Sequence, residues 1–374
     1  MFGTRAARLA GGWRAALAAG LRRPRLRLLL LSDGREYTSE QQFAPIWRHR
    51  TRLRRELGLA VEWMRLETAL ARPASLRAGW DMVGLKLSFR HSPGDALRIA
   101  RGVAEGLDGT GARLVYFDGD DDSAVQWPAL LDLCDLYVKK HRFIDAAAYA
   151  RRFIGRNNLT DFVARTSGRS FAADPVPESE VVDPAALEKL HCGWNIALDD
   201  KIAALPPHPP EGERTIDICG RVHVAPESWL RGLRAPAIAA LEALPADWTV
   251  AVPQGRVPQQ AYYEEMRAAR ICVSPFGYGE ICWRDFEAIL CGCLLVKPDM
   301  SHIRTAPDLF VAGETYVPVA WDYSDLEAAC APYLADEGAR LAIARRAQRR
   351  LIDSLSAGWF TARMADLFAA ARRG

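Results

Sequence analysis

The chain has 374 residues, too many for one average domain and enough for two cores of ordinary size. Hydrophobic residues make up 49% and charged residues 25%, a globular composition that excludes a disordered, collagen-like or coiled-coil chain. The net charge of +3 is small against 49 basic and 46 acidic groups, so no global polycation exists to wrap a nucleic acid.

Arginine outnumbers lysine 43 to 6, a coding bias that obliges each arginine to be judged by its spacing. The eight cysteines (Cys134, Cys192, Cys219, Cys272, Cys282, Cys291, Cys293 and Cys330) form no Cys-x-x-Cys pair, and most sit inside apolar runs. They read as buried reduced thiols, which favours the cytosol over an oxidising compartment.

At the N-terminus, residues 1–32 hold seven arginines and no acid. Leu9, Trp13, Leu17 and Leu21 recur every four residues among Arg5, Arg8, Arg14 and Arg22, so residues 5–23 read as a surface helix able to lie on an anionic membrane. No uncharged run reaches the ~18 residues a membrane span requires.

From Arg25 onward short apolar runs alternate with stretches of helical periodicity. Predicted strands are Arg27–Ser32, Ala60–Leu66, Met82–Ser88, Ala112–Phe117 and Leu136–Lys139, with helical stretches at Gln41–Leu57 and Gly94–Gly106. The segment from Leu205 to Arg214 has four prolines and no apolar run, and so reads as a linker. The alternation then restarts with strands at Thr215–Cys219, Thr249–Val252, Ile271–Ser274, Cys293–Val296 and Tyr316–Val319. Helices are predicted at Ser228–Leu244, Pro258–Ala269, Ile281–Cys291 and Tyr323–Leu334, and two more across 337–373.

Two doubly wound α/β domains facing across a cleft follow from this order. The boundaries are a basic segment at 1–24, a first domain at 25–204, a linker at 205–213, a second domain at 214–355 and a terminal helix at 356–374. In such sheets ligands bind beyond the carboxyl ends of the strands, so the residues just after strands are the candidates. Neither a G-x-G-x-x-G nor a Walker A sequence occurs, which disfavours nicotinamide, flavin and ATP enzymes.

The segment from Ser274 to Asp299 is the richest. It leaves a strand, turns through Gly277, Tyr278 and Gly279, is predicted to open a helix near Glu280, and ends that helix at Gly292. On a helix beginning there, Glu280, Arg284 and Glu287 share one face. A glycine-rich turn lets backbone approach a ligand, the helix start attracts an anion, and Arg284 can grip a diphosphate with two parallel hydrogen bonds. A carboxylate on that face can accept from sugar hydroxyls. Spacing alone leaves open a plain surface helix with an Arg–Glu ion pair.

This segment resembles the donor-binding helix of GT-B glycosyltransferases, down to the Glu287-Ala288-Ile289-Leu290-Cys291-Gly292 ending. Cys282-Trp283-Arg284 and Arg284-Asp285-Phe286-Glu287-Ala288 are similar to the exostosin-like and CAP10-like (lipopolysaccharide-modifying) transferases. So is the later block from Tyr316 to Leu326. The resemblance spans residues 214–352 and implies a GT-B enzyme in which Arg284 holds the donor diphosphate and no cofactor or bound metal is needed. Its two glutamates are seven apart where the common retaining pattern has eight, so retention does not carry over.

Position adds further donor-side candidates: Arg221 after the first strand of the second domain, Gln254 and Gly255 after the second, Tyr278 in the turn, and Lys297 after Val296. On the first domain, Asp33 and His91 follow strands and are the candidate bases for an acceptor hydroxyl. The Asp118–Asp122 run has the D-x-D spacing of a divalent-metal site, but reads better as a helix cap and solvated loop. The function expected is transfer of a sugar from a nucleotide sugar to a saccharide or glycolipid acceptor in cell-surface polysaccharide or lipopolysaccharide synthesis. It would work in the cytoplasm, peripherally at the inner face of the membrane, with no nucleic-acid partner.

The alternatives are a nucleotide-sugar epimerase, which needs acids paired about the sugar, a glycosyl phosphorylase, which needs a pyridoxal-bearing lysine, and a non-enzymatic two-domain sugar-binding protein, which needs an export signal. None of these features stands out in the sequence.

Overall fold

The structure is a computed structural model that describes residues 24–34, 37, 41–172, 180–224, 228–252, 255 and 257–373. The N-terminal basic segment and Gln254 lie outside the described residues.

In the first domain the strands are β1 (Leu26–Ser32), β2 (Leu59–Arg65), β3 (Met82–Lys86), β4 (Arg113–Asp118), β5 (Leu136–Lys139), β6 (His141–Phe143) and β7 (Leu190–Cys192). The helices are α1 (Ala44–Leu57), α2 (Leu66–Ala71), α3 (Pro93–Leu107), α4 (Asn158–Ser167) and α5 (Asp200–Ala203). Six strands make one parallel sheet in the order β2-β1-β3-β4-β5-β7. Leu28 to Leu31 of β1 are all fully buried, as a central strand covered on both faces requires. Local signals set the helix ends: Ser92 caps α3 through Asp95 N ahead of Pro93, and Gly58 ends α1 in the left-handed conformation.

The second domain holds β8 (Ile216–Cys219), β9 (Val250–Ala251), β10 (Ala269–Val273), β11 (Leu294–Pro298), β12 (Ile303–Thr305) and β13 (Val317–Val319). Its helices are α6 (Arg231–Glu242), α7 (Gln259–Ala268), α8 (Trp283–Leu290), α9 (Leu326–Ala335) and α10 (Glu337–Ser354), followed by the terminal α11 (Ala357–Arg373). Five strands form a second parallel sheet, β13-β11-β10-β8-β9. The two doubly wound sheets predicted from the alternation are present, and each of the ten predicted strands overlaps an observed one.

Three features tie the halves together. The strands β6 and β12, one from each half of the chain, pair antiparallel. The terminal helix α11 buries Phe360, Met364, Leu367 and Phe368 in a cluster with Leu28, Leu30, Phe43 and Ile46 of the first domain, roughly 1.5–3 kcal/mol for each large side chain. Finally, the proline-rich stretch is held down along the second domain: His208 N donates to Leu290 O at 2.7 Å, and buried Arg214 donates to the carbonyls of Pro209, Pro210, Ala269 and Cys291.

Strand order also locates the ligand crevices. Chain direction across the sheet reverses between β1 and β3 in the first domain and between β8 and β10 in the second, and ligands of open parallel sheets bind outside the carboxyl ends at such points. Asp33 and Lys86 flank the first crevice. Arg221 and the turn after Ser274 flank the second.

Candidate functional site

On the second domain, β10 ends in the turn Gly277-Tyr278-Gly279, closed by a hydrogen bond from Gly277 N to Gly279 O of 3.0 Å. The helix beyond begins at Trp283: Cys282 N donates to Asp285 Oδ2 at 2.8 Å in a capping box. This corrects the expectation of a helix opening near Glu280. Glu280 precedes α8 and does not share a helix face with Arg284 and Glu287.

Arg284 stays in the position the sequence gives it, in the first turn of α8. Its Nε and Nη1 are buried and have no hydrogen-bond partner, a cost of about 1–3 kcal/mol for each group left unpaired. Arg234, which sequence reading did not single out, lies against the same turn, with Nε donating to Phe276 O at 3.2 Å and Nη1 to His223 O at 2.8 Å. A Cβ on Gly277 would stand 3.7 Å from Arg234 Nη2. Two guanidinium groups therefore serve one glycine-rich turn, and one of them has N–H donors to spare.

Glu287 is buried and accepts from Tyr262 Oη and Tyr263 Oη, each at 3.1 Å. Burial raises its pKa despite those two hydroxyls. Neither tyrosine was visible as a site residue in the sequence, since the contact comes from α7 across the domain. Arg221 stands at the mouth of the crevice, paired with Glu265 at 2.6 Å and donating to Gly255 O at 3.1 Å; these bonds bring Arg221 and Gly255 together. Tyr278 is 64% exposed, its ring facing Trp229 at 6.4 Å. Lys297, by contrast, is buried against Asp285 at 3.1 Å beneath the turn and faces no crevice.

Glu280 is the junction of the two domains. It is fully buried and is held by Asn158 Nδ2 at 2.8 Å, His302 Nε2 at 3.2 Å, His141 Nε2 at 3.3 Å and Ser123 Oγ at 3.3 Å. Burial pushes its carboxyl up, but the bonds and charges of His141 and His302 outweigh that and hold it well below the usual carboxylate range. With four donors from four segments, Glu280 is committed to the domain interface and is not a free sugar-binding carboxylate in this state. Gly279 packs beside it so closely that a Cβ would lie 1.5 Å from Asp121 O of the first domain. Only glycine fits there.

On the first domain, Asp33 Oδ2 meets His91 Nε2 at 2.8 Å and accepts from Ser88 N at 3.0 Å. The two candidate bases thus form one dyad at the end of β1 and β3. The Asp118–Asp122 acids are engaged by cations: Asp118 with Lys139 at 2.9 Å, Asp121 with Lys140 at 2.9 Å, and Asp120 and Asp122 both with Arg156. Burial pushes the Asp122 carboxyl up to about 7. Among the described residues no group of three or more histidine, cysteine or acidic side chains is placed to hold a metal ion.

Lys86, at the end of β3, is 3% exposed, and desolvation lowers its pKa to about 8, the nearby Asp118 and Asp33 notwithstanding. A base whose pKa falls on folding costs stability below the folded value, and the cost disappears as pH rises toward the unfolded value near 10.5. We expect Lys86→Met to be more stable than the parent by about 1–3 kcal/mol at pH 7, and the gap to shrink between pH 8 and 10.5. Urea melts at pH 7 and 9.5 check this; a pH-independent gap would contradict it.

Comparison with known proteins adds to this geometry. Residues 215–367, less than half of the chain, match the model of a glycosyl transferase-like family. No curated protein matches the chain in sequence. Among solved structures, a glycosyltransferase from Rickettsia africae ESF-5 superposes with a TM-score of 0.52 at 9% identity, over 94% of this chain and 100% of that one. An alpha-glucosyltransferase in complex with UDP-glucose and DNA containing an abasic site gives a TM-score of 0.50 at 8% identity, over 92% and 99%. TarM gives 0.46 at 10% identity, over 81% of this chain, which spans only 58% of TarM. The fold is that of GT-B proteins, two Rossmann-like domains facing across a crevice, and within it residues 215–367 are similar to the glycosyl transferase-like family.

Proposed function

We propose that the chain is a glycosyltransferase that moves a sugar from a nucleotide-sugar donor to a saccharide or glycolipid acceptor. The observation that carries this reading is Arg284: a guanidinium whose buried Nε and Nη1 are unpartnered, in the first turn of a helix that follows a glycine-rich turn at the crevice of the second sheet. Such a group is complementary to the charge that grows on a departing diphosphate, and it is fixed before the reaction begins. Arg234 lies within reach of the charge of Arg284 as a further cation at the turn, and Arg221 follows β8, paired with Glu265. The family match over residues 215–367 supports the same reading, as does the GT-B fold.

In this mechanism the bond between the anomeric carbon and the diphosphate oxygen breaks, and the nucleoside diphosphate leaves with the electron pair. The acceptor hydroxyl forms the new glycosidic bond and gives its proton to His91 Nδ1. Asp33, bonded to Nε2, holds the imidazole in the tautomer with Nδ1 free and stabilises the imidazolium that forms. No cofactor enters, and because Asp118, Asp120, Asp121 and Asp122 are each matched with Lys139, Lys140 or Arg156, the reaction is proposed to be independent of a divalent metal. The acceptor is proposed to be a growing cell-surface polysaccharide or lipopolysaccharide, handled by an enzyme allied to the exostosin-like and CAP10-like transferases. We place it in the cytoplasm at the inner face of the membrane, with residues 5–23 as the membrane contact. No helix among the described residues is long and apolar enough to cross a membrane.

The test is release of nucleoside diphosphate from a panel of nucleotide sugars with saccharide acceptors. His91→Ala is expected to slow turnover by roughly 10²–10⁴-fold, the range for a positioned base, while donor affinity stays unchanged and the parent enzyme inverts the anomeric centre. Full turnover in that variant, or a retained configuration, removes His91 from the role of base. No turnover with any nucleotide sugar contradicts the function.

A further inference from the structure

The carboxyl ends of the first sheet gather half of the chain's few lysines: Lys86, Lys139 and Lys140. Lys139 and Lys140 are neutralised by Asp118 and Asp121, and Asp33 is occupied by His91, at 2.8–2.9 Å. Lys86 is the remainder. Lys86 is 3% exposed, and Asp118 and Asp33 act on its amine through charge alone, with no direct ion pair or hydrogen bond to it among the described residues. A buried cation without a contacting counterion is costly, and a ligand anion that reached it would offset that cost. Next to it, Gln42 turns its Nε2 to Asp118 O at 3.1 Å and leaves Oε1 buried without a donor. A Cβ at Gly119 would lie 2.7 Å from Lys86 Nζ and 3.2 Å from Gln42 Oε1, so both polar atoms border the space that Gly119 keeps open. Three residues along the same loop Phe89 presents a ring that is 46% exposed, and His91 follows.

The geometry points to an acceptor subsite for a saccharide that bears an anionic group, a carboxylate or a phosphate, seated on Lys86. An adjacent hydroxyl of that sugar donates to Gln42 Oε1, and its apolar face rests on Phe89. This rests on the reading of the first domain as the acceptor side. It narrows the acceptor class to acidic or phosphorylated sugars, because a neutral sugar leaves the buried amine unpaired while an anion satisfies it. Lys86, Phe89 and His91 lie at or just after the end of β3, so binding the charge registers the acceptor against His91.

The test titrates the full chain and Lys86→Met with methyl glucuronoside, glucose 6-phosphate and neutral methyl glucoside by calorimetry, and with nucleoside diphosphates in parallel. An anionic probe is expected to bind at least ten-fold more tightly than the neutral one and to lose at least ten-fold in Lys86→Met, with nucleoside diphosphate affinity unchanged. Which of the two anionic probes binds names the group. Equal binding of neutral and anionic probes, no binding of either anion, or anion binding unchanged in the variant would overturn the subsite. A parallel loss of nucleoside diphosphate affinity would also overturn it, by assigning Lys86 to the donor. Failure of every nucleoside diphosphate to bind the parent chain counts instead against the glycosyltransferase reading, since the sugar probes are measured without donor.

Discussion

Arg284→Ala is expected to weaken nucleoside diphosphate binding by roughly 10–150-fold, the equivalent of the ~1.5–3 kcal/mol that a hydrogen bond to a charged group contributes, and to leave the melting temperature unchanged or higher. The two halves of this outcome come from one fact. A residue that stabilised the fold through its own contacts would lose stability on truncation, whereas the Nε and Nη1 of Arg284 have no partners to lose. They are already desolvated. Calorimetry against a thermal melt separates the cases. A large fall in melting temperature with unchanged affinity would make Arg284 a structural residue.

Glu280→Ala has the opposite signature. Removing the carboxylate strips an acceptor from His141, His302, Asn158 and Ser123 at once, and breaking a buried charged network typically costs about 3–5 kcal/mol. The donors come from both sides of the crevice, so the loss falls on the closure of the domains as well as on either core. We expect an apparent melting temperature lower by about 10 °C and faster proteolysis between the domains, with Glu280→Gln intermediate because its amide oxygen still accepts. Because the folded carboxyl titrates well below its unfolded value near 4.5, this stabilisation is present above that value and lost as pH falls toward the folded one. An unchanged melt in Glu280→Ala would show that the network adds nothing to stability.

How far the sequence carried these conclusions depended on distance along the chain. The runs Leu28–Leu31 and Leu294–Val296 declare central strands because a strand covered on both faces is apolar throughout, and the helices between them declare themselves by period. The strands β6 and β12 were not legible: each has three residues, and their pairing is between distant halves of the chain. The glycine-rich turn and the helix after it were legible because Gly277, Gly279, Arg284 and Glu287 lie close together in the sequence. The helix start was misplaced by about three residues because Asp285, two positions into the helix, closes back on Cys282, and spacing cannot reveal such a cap.

Glu280 shows the harder limit. In sequence it is one more acid beside Arg284; in the fold it meets Ser123, His141, Asn158 and His302, none of which shares a pattern with it. Tyr262 and Tyr263 against Glu287 are invisible for the same reason. One signal was available and went unread. In a chain that uses arginine almost everywhere, lysine at positions 86, 139 and 140 falls each time at or just after the end of a strand of the first sheet, where an amine, unlike a guanidinium, can shift its pKa on burial.

The central claim is that the crevice of the second domain holds a nucleoside diphosphate. Calorimetric titration of the purified chain with UDP, GDP, dTDP and CMP, with and without magnesium, tests it most directly. Selective binding of one nucleotide, independent of magnesium and lost in Arg284→Ala, is the predicted result; binding of none of them, or binding that Arg284→Ala leaves intact, would contradict it.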